Sequence, residues 1–529
     1  MIRKVYFNLL FFVLFPLLQS TSGQSPVDVS VGQWARFEAS VKNTKNYRNP
    51  YTDVTLDVTY KSPDGREMKF WGFYDGGRTW KIRFMPDRIG SWNYDAAFSD
   101  GSAGIRGKFE CIRSDIPGMI SVDQTNPQWF GYKGGRHLLV RSFHVGDRFF
   151  ASNWPVVKRK VFLDWLETQG YNMLSVASHY LNRDVEGRGR GWRTPDLWPL
   201  NAAEYQKMEA ILDDLAERRI IIYPFAGFFG QSSDFPPVHR EQTEYIKYTL
   251  ARLGAYWNIL FNVAGPEPEI KSDEFQNIMT ATDINRLCRQ IKKLDIFGHL
   301  LSVHNPSGDD PFRDQDWLSF VTLQGWKGTN LLDVNSGLLK NHHKAKPLYA
   351  QEVFWPGNKY HNIRNVVDIR KKAFVIIMSG AAINYADMDG NSSSGFSGSM
   401  EMSDRIQARH DIIRKVWDFF ETIPFYRMSP NQRIVDSGFC LAEEGRYYLV
   451  YLVSGGSVNI SVRAGSYNLT WINAQNTSDR RYVGITSDGK KLTAPNDSED
   501  WLLLLTAENT GSAGSLNSQR YGITARELL

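Results

Sequence analysis

Eight short apolar runs between residues 137 and 385 constrain the fold of this chain more than any other feature of the sequence. Each run has about five to seven residues, the length of a buried strand, and stretches with apolar residues at helical spacing separate the runs. We place the predicted strands at 137–143, 172–177, 220–225, 259–263, 300–304, 320–324, 347–351 and 381–385. This series predicts a (β/α)8 TIM barrel, because a doubly wound sheet would show fewer strands and usually a glycine-rich phosphate turn.

Strict alternation of apolar and polar residues replaces this pattern on both sides of the predicted barrel. It is clearest in the runs 34–41, 54–60, 447–453 and 467–471. Alternating runs separated by turn residues are typical of antiparallel sandwiches. The predicted fold is therefore multidomain, a TIM barrel flanked by two β-sandwich domains. We expect a signal peptide at 1–23, sandwiches at 24–118 and 429–507, a barrel at 119–428 and a flexible tail at 508–529.

The amino-terminal segment has the order of parts found in secretory signals. Arg3 and Lys4 precede an apolar stretch at 7–18, and small residues follow up to Gly23. No later apolar run approaches the roughly 18 residues of a membrane span. The sequence therefore predicts a cleaved signal peptide, a secreted or periplasmic protein and no stable membrane span.

Composition disfavours several classes of function. A formal net charge of +5 over 529 residues is no nucleic-acid signature. Three widely spaced cysteines cannot form a disulfide framework, and no Cys/His cluster at ligand spacing accompanies them, so we expect no metal and no cofactor. The 16 Trp, 24 Tyr and 31 Phe suit a saccharide-binding protein, although aromatic sandwich cores explain most of them.

Two glutamates lie where predicted barrel strands end. Glu352 follows the run 347–351 and precedes Phe354 and Trp355, and Glu267 follows the strand 259–263 through a Gly-Pro turn. Either could be a strand-end residue held by a salt bridge. Cleavage of a glycosidic bond, however, requires such a pair, one acid that protonates the leaving oxygen and one carboxylate that attacks or activates water. Catalytic residues of TIM barrels occupy this end of the strands.

The segments that carry these glutamates resemble a family of glycoside hydrolases. Residues 258–267 resemble the segment that ends in Gly-Gly-Asp or Asn-Glu in apiosidase-like barrels of clan A, and 346–352 resemble the strand of the nucleophile. The domain order resembles that of secreted bacterial proteins with an amino-terminal DUF5060-type sandwich and a carboxy-terminal sandwich of the collagen-binding type. The resemblance implies a retaining glycoside hydrolase, with Glu352 as nucleophile and Glu267 as acid/base, and it is silent on the substrate. We expect a plant or algal poly- or oligosaccharide.

One residue departs from the pattern of the clan. Many members place Asn directly before the acid/base, where it contacts the 2-hydroxyl of the sugar, whereas this chain has Pro266. Recognition of that hydroxyl must then differ, and Glu269 becomes a rival acid. We prefer Glu267, because it occupies the matching position.

Candidate substrate-binding residues follow the other predicted strands. By their strand-end positions we assign this role to His179, Tyr180, Trp326, Trp355 and Tyr385. The resemblance adds His304 and Gln324, which are similar to the family's residues after strands 5 and 6. For the aromatic residues, packing in the core is an equal alternative. The arginine-rich segment 183–193 suits either an anionic glycan or ordinary solvated surface. A non-catalytic glycan- or matrix-binding surface protein is the competing class of function, and the sequence leaves sugar identity and oligomeric state open.

Overall fold

A computed structural model describes residues 29–508 with internal gaps. The gaps are 146–148, 151–155, 177–199, 225–226, 231–234, 237, 266–278, 306–307, 326–327, 356–364, 388–403 and 488–490. The predicted signal peptide lies outside the described residues, as does the predicted tail apart from residue 508.

Two sheets form the amino-terminal region. The first has the strand order β1-β8-β7-β3-β4 and the second β2-β6-β5. The strands are β1 (Val29–Gly32), β2 (Phe37–Lys42), β3 (Leu56–Lys61), β4 (Glu67–Trp71), β5 (Phe73–Tyr74), β6 (Thr79–Phe84), β7 (Gly90–Phe98) and β8 (Ile105–Ile112). Their inner faces meet in an aromatic core, in which Phe84 contacts both Tyr60 and Trp92. Alternate residues of β3 are buried, which is the period expected of a sheet with one covered face.

A small antiparallel sheet leads from this region into the centre of the molecule. It consists of β9 (Ile120–Val122), β10 (Phe130–Tyr132) and β11 (His137–Leu138). The predicted strand 137–143 is therefore wrong in part, because its first residues pair with β10 and the parallel sheet begins only at Arg141. His137 Nδ1 lies 2.6 Å from Asp123 Oδ2, which fixes β11 in the small sheet.

A curled parallel sheet with surrounding helices forms the central region. Six strands have the order β14-β13-β12-β20-β19-β18, and three more have the order β15-β16-β17. They are β12 (Arg141–Val145), β13 (Met173–Val176), β14 (Ile221–Pro224), β15 (Phe229–Gly230), β16 (Phe261–Ala264), β17 (Leu301–Ser302), β18 (Val321–Gln324), β19 (Leu348–Phe354) and β20 (Ala381–Tyr385). The helices are α1 (Val156–Thr168), α2 (Ala202–Glu217), α3 (His239–Leu253), α4 (Ala281–Leu294), α5 (Leu331–Asn341), α6 (Val366–Met378) and α7 (Asp404–Phe420).

Two contacts join the two groups of parallel strands. Ile222 of β14 forms a parallel bridge with Ile259, just before β16. On the other side, the amide of Ser319, just before β18, donates to the carbonyl of Leu301 in β17 at 2.8 Å. The strands therefore curl around one interior. Because all of them are parallel, they end at one common edge, the carboxyl edge.

A third sheet region completes the described chain. Its main sheet has the order β21-β22-β23-β28-β25-β26, and β24 pairs with β27. The strands are β21 (Ser429–Pro430), β22 (Phe439–Glu443), β23 (Tyr447–Leu452), β24 (Ser457–Val458), β25 (Tyr467–Asn473), β26 (Arg480–Thr486), β27 (Leu492–Thr493) and β28 (Trp501–Ala507).

Buried ion pairs fasten both outer regions to the helices of the central region. On the amino-terminal side, Glu209 of α2 accepts from Arg83 of β6 and from Arg252 of α3. On the carboxy-terminal side, Arg370 of α6 donates to both carboxylate oxygens of Asp500, at 2.7 and 3.0 Å. One continuous apolar core also connects residues of all three regions.

Candidate active site

A bulge in β19 places Glu352 at the carboxyl edge of the parallel sheet. The register of β19 shifts against β18 next to Gln324 and against β20 between Ala350 and Phe354. The strand extends to Phe354, so Glu352 lies inside it rather than directly after it, as the sequence had suggested. Bulges re-aim side chains and occur often beside active sites.

Gln351 and Glu352 both face the interior as a result of this bulge. The side chain of Gln351 pairs with the hydroxyl of Ser175 on β13, at 2.8 and 3.1 Å. The carbonyl of Gln351 accepts from Asn384 Nδ2 at 2.8 Å and from Trp355 Nε1 at 3.1 Å. These side-chain donors satisfy the carbonyl within the irregular stretch of the ladder, which stabilises the bulge.

His304 approaches Glu352 across the interior. Its Nε2 lies 3.5 Å from Glu352 Oε1, within the range of an ion pair. The imidazole is fully buried, whereas 15% of the Glu352 side chain is exposed. Glu352 therefore meets solvent on one side and a protein imidazole on the other. A carboxylate in this setting is accessible to a ligand from the solvent side.

Gln324 is the nearest neighbour of Glu352 on the adjoining strand. It stands opposite Glu352 in the register of β18 and β19 and is partly buried. The structure thus brings together three of the residues predicted from the sequence, Glu352, His304 and Gln324. An amide beside a carboxylate can donate a hydrogen bond to a sugar hydroxyl.

The predicted aromatic platform differs from the observed arrangement. Trp355 is buried, and its ring stacks on His144 of β12 with the centroids 4.3 Å apart, so one face of the indole is covered. Tyr385 is buried between Phe354 and His410. Both residues are therefore packed in the core, which is the alternative considered for each of them.

A buried ion pair lies directly beyond β20. The Tyr385 hydroxyl donates to Asp387 at 3.3 Å, and Arg409 of α7 donates to both oxygens of Asp387 at 3.0 and 3.1 Å. Burial, with the charge of Asp387, raises the pKa of Tyr385 well above its usual value. Tyr385 is therefore a neutral donor that ties the end of β20 to α7.

Several predicted residues lie outside the described residues. They are Glu267, Glu269, His179, Tyr180, Trp326 and the arginine-rich segment 183–193. The strand that precedes Glu267 is described as far as Ala264, which is buried with φ of 61°. A non-glycine residue in the left-handed region stores strain of about 1–3 kcal/mol, and such positions concentrate near functional sites.

His144 is the residue of this site that the sequence analysis did not select. It lies one residue beyond the predicted strand 137–143, and no apolar period or motif distinguishes it. The shift of the parallel strand to Arg141–Val145 is what places it beside Trp355. A correct strand boundary would have suggested its position.

No described group of three or more His, Cys, Asp and Glu side chains is arranged to hold a metal ion. Within the same residues, no helix combines the length and apolar character needed to cross a membrane.

Solved structures place this architecture among the glycoside hydrolases. A candidate glycoside hydrolase from Bacteroides vulgatus ATCC 8482 superposes with a TM-score of 0.70 at 17% identity, over 91% of this chain and 100% of its own. A glycoside hydrolase of family 5 from the same organism gives 0.54 at 17% identity, over 75% and 95% of the two chains. A third glycoside hydrolase gives 0.56 at 15% identity, over 74% and 97%. The chain thus has a glycoside hydrolase-like fold.

Family models define two parts of the chain more closely. Residues 150–385 match the model of the apiosidase-like catalytic domain, and residues 30–99 match the domain of unknown function DUF5060. The resemblance read from the sequence is confirmed for these two parts. No curated protein matches the chain. Fold and catalytic-domain match together support glycosidase activity.

Proposed function

We propose that this protein is a secreted retaining glycoside hydrolase with Glu352 as its nucleophile. The observation that carries the proposal is the position of Glu352, partly exposed at the carboxyl edge and 3.5 Å from His304, within the apiosidase-like part of the chain. In the reaction, Glu352 attacks the anomeric carbon and the bond to the leaving oxygen breaks. Water then hydrolyses the glycosyl–Glu352 ester and releases the sugar.

Glu267 is the proposed acid/base. It gives a proton to the leaving oxygen in the first step and takes one from water in the second. A retaining mechanism requires the two carboxyl groups to be about 5–5.5 Å apart. Support for the assignment comes from the end of β16 at the same edge as Glu352 and from the match of 258–267 to the family segment.

A closed (β/α)8 barrel is part of the proposal. The pairing of β12 with β20, the bridge Ile222–Ile259 and the hydrogen bond from Ser319 to Leu301 support closure. In a closed barrel, the residues after β16 and those around Glu352 converge on one mouth.

The substrate is proposed to be a plant or algal poly- or oligosaccharide. The partly buried Gln324 is the proposed contact beside Glu352, whereas the buried His304 and Trp355 line the site from the interior. Trp326, His179 and Tyr180 are the proposed contacts from the other strand ends. The cationic segment 183–193 suits a glycan with carboxylate or sulfate groups. The basic and apolar parts of 1–23 support export.

Screening on pectic and algal oligosaccharides tests the proposal. Wild type, Glu352→Gln and a surface control, Glu67→Gln on β4, would be incubated with the panel and the products separated by chromatography. Hydrolysis by wild type and by the control, with loss in Glu352→Gln, supports the function. Binding of an oligosaccharide without turnover by any of the three would favour a non-catalytic glycan-binding protein.

A further inference from the structure

The segment after β17 is held by a buried pair of polar side chains, Asn305 and Asp310. Their exposed fractions are 1% and 3%. Asn305 Nδ2 donates to Asp310 Oδ1 at 3.1 Å and to the carbonyl of Val303 at 3.3 Å. The amide of Phe312 also donates to Asp310 Oδ1, at 2.8 Å. Because Asn305 follows His304 directly, this pair fixes the backbone that carries the imidazole.

Asn341, at the end of α5, holds the same segment through hydrogen bonds to its backbone. Its Oδ1 accepts from the amide of Asp310 at 3.0 Å, and its Nδ2 donates to the carbonyls of Gly308 and Gly337 at 2.7 and 3.1 Å. The loop between β17 and β18 is thus tied to a helix as well as to itself. The bonds converge on Asp310.

Two oxygens of the pair are left without a donor. Among the described residues, no hydrogen-bond partner reaches Asn305 Oδ1 or Asp310 Oδ2, although both are buried. A buried unsatisfied acceptor costs about 1–3 kcal/mol, and a charged one more. A proton on Asp310 Oδ2 removes this cost, because the new O–H group can donate to Asn305 Oδ1 while Asn305 Nδ2 donates in return.

The charges around Asp310 are compatible with a neutral acid. Burial raises the pKa of Asp310 to about 7, against the opposing effects of the Phe312 amide and of the Lys346 and Arg313 charges. Cys288 of α4 and Tyr223 of β14 also face it, and both have raised pKa values, so neither supplies a charge near neutral pH.

We propose that Asn305 and protonated Asp310 form a carboxylic acid–amide pair that positions His304 against Glu352. The pair itself stands on the geometry alone, whereas its role in positioning rests on the proposed glycosidase function. Asp310 is a positioning residue that touches neither substrate nor reacting atoms. No covalent bond changes, and the proton stays on Asp310 Oδ2.

The proposal predicts a defined dependence of stability on pH. The unfolded chain releases the Asp310 proton near its ordinary pKa of 3.8, whereas the folded chain keeps it up to about pH 7. Between these values the folded state binds more protons, so its stability falls as pH rises. Asp310→Asn cannot titrate, and its amide can make both bonds of the pair. Relative to wild type, its melting temperature should therefore rise between pH 4 and 7 and level off above.

Thermal unfolding of wild type, Asp310→Asn and the neighbouring control Asp309→Asn from pH 4 to 8 tests the pair. Infrared difference spectra near pH 6 should show the stretch of a protonated carboxyl group that Asp310→Asn lacks. A difference in melting temperature that does not change with pH, or the absence of that band, would overturn the pair.

Kinetics test the positioning role separately. Asp310→Ala should lower kcat about tenfold or more with little change in KM, and Asp310→Asn should restore most of the loss. An equal loss in both variants, with the pH and infrared results as expected, would leave the pair intact and overturn its link to His304. If wild type hydrolyses no glycan, the proposed function fails, but the unfolding and infrared results still show whether the acid–amide pair forms.

Discussion

Nε2 of His304, two residues beyond β17, lies 3.5 Å from Oε1 of Glu352 in β19, although these two strands are not neighbours in the sheet. The imidazole is fully buried and cannot move away without opening the interior. It therefore places a buried ring nitrogen beside one oxygen of a carboxylate whose side chain is 15% exposed.

Loss of this imidazole should impair catalysis more than folding. We expect His304→Asn to lower kcat roughly 100-fold, the scale seen when one preorganised donor is removed from an active site. His239→Asn, an exposed residue at the start of α3, is the matched control and should keep full activity. Steady-state kinetics on the oligosaccharide that is hydrolysed fastest in the screen measures the effect. An unchanged kcat in His304→Asn would show that the imidazole has no part in catalysis.

Trp355 is expected to support the bulge as well as the core. Trp355→Ala removes the stack on His144 and the bond to Gln351, and should lower the free energy of unfolding by about 3–5 kcal/mol. Trp355→Phe keeps a ring but loses the indole N–H, so it should recover most of the stability and little of the activity. Chemical denaturation with parallel assays checks this. Equal activity in Trp355→Phe and wild type would show that the indole donor does not hold the site.

The Arg370–Asp500 pair should make the carboxy-terminal sheet unfold together with the central region. Removing one partner of a buried ion pair leaves the other charge buried without compensation. Arg370→Met should therefore lower the free energy of unfolding by about 3–5 kcal/mol. Tyr451 also donates to Asp500, at 2.8 Å, which adds to the cost of replacing Asp500. Asp479→Asn, in an exposed pair with Arg481, is the control and should change the melting temperature little. Two separate transitions in wild-type calorimetry would contradict this coupling.

Acid should destabilise the protein partly through His410. Its burial, with the Arg409 charge, lowers its pKa to about 3, so the folded state resists protonation that the unfolded chain accepts near pH 6.5. Stability from this residue is complete above pH 6.5 and falls as pH drops toward 3. His410→Gln should flatten the fall in melting temperature between pH 6.5 and 4. A parallel decline in wild type and variant would assign acid sensitivity to other groups.

The sequence predicted those features that depend on repetition along the chain. Regular alternation and helical spacing repeat often enough to reveal the parallel strands and the flanking sheets, and the strand 381–385 coincides with β20. Features that depend on contacts between distant segments were not accessible. Nothing in the run 137–143 shows that His137 pairs with a separate hairpin, and nothing in 347–355 shows a bulge.

The burial of the aromatic residues also depends on contacts between distant segments. Trp355 and Tyr385 stand at strand ends, where an open platform and a packed core have the same local sequence. The ring of His144 covers Trp355, and the ring of His410 packs against Tyr385. Each histidine is distant along the chain from the aromatic residue that it contacts. Asn305 and Asp310 are close in sequence, but the proposed protonation of Asp310 follows from the burial of the pair, which the sequence does not show.

The central claim, that Glu352 is the nucleophile of a retaining hydrolase, is tested most directly by trapping the intermediate. Wild type would be incubated with activated 2-deoxy-2-fluoro glycosides of the sugars released in the screen, digested, and mapped by peptide mass spectrometry. One added fluoroglycosyl group is expected on Glu352, and no label in Glu352→Gln. A label on another carboxylate, or turnover of the natural glycan by Glu352→Gln at the wild-type rate, would contradict it.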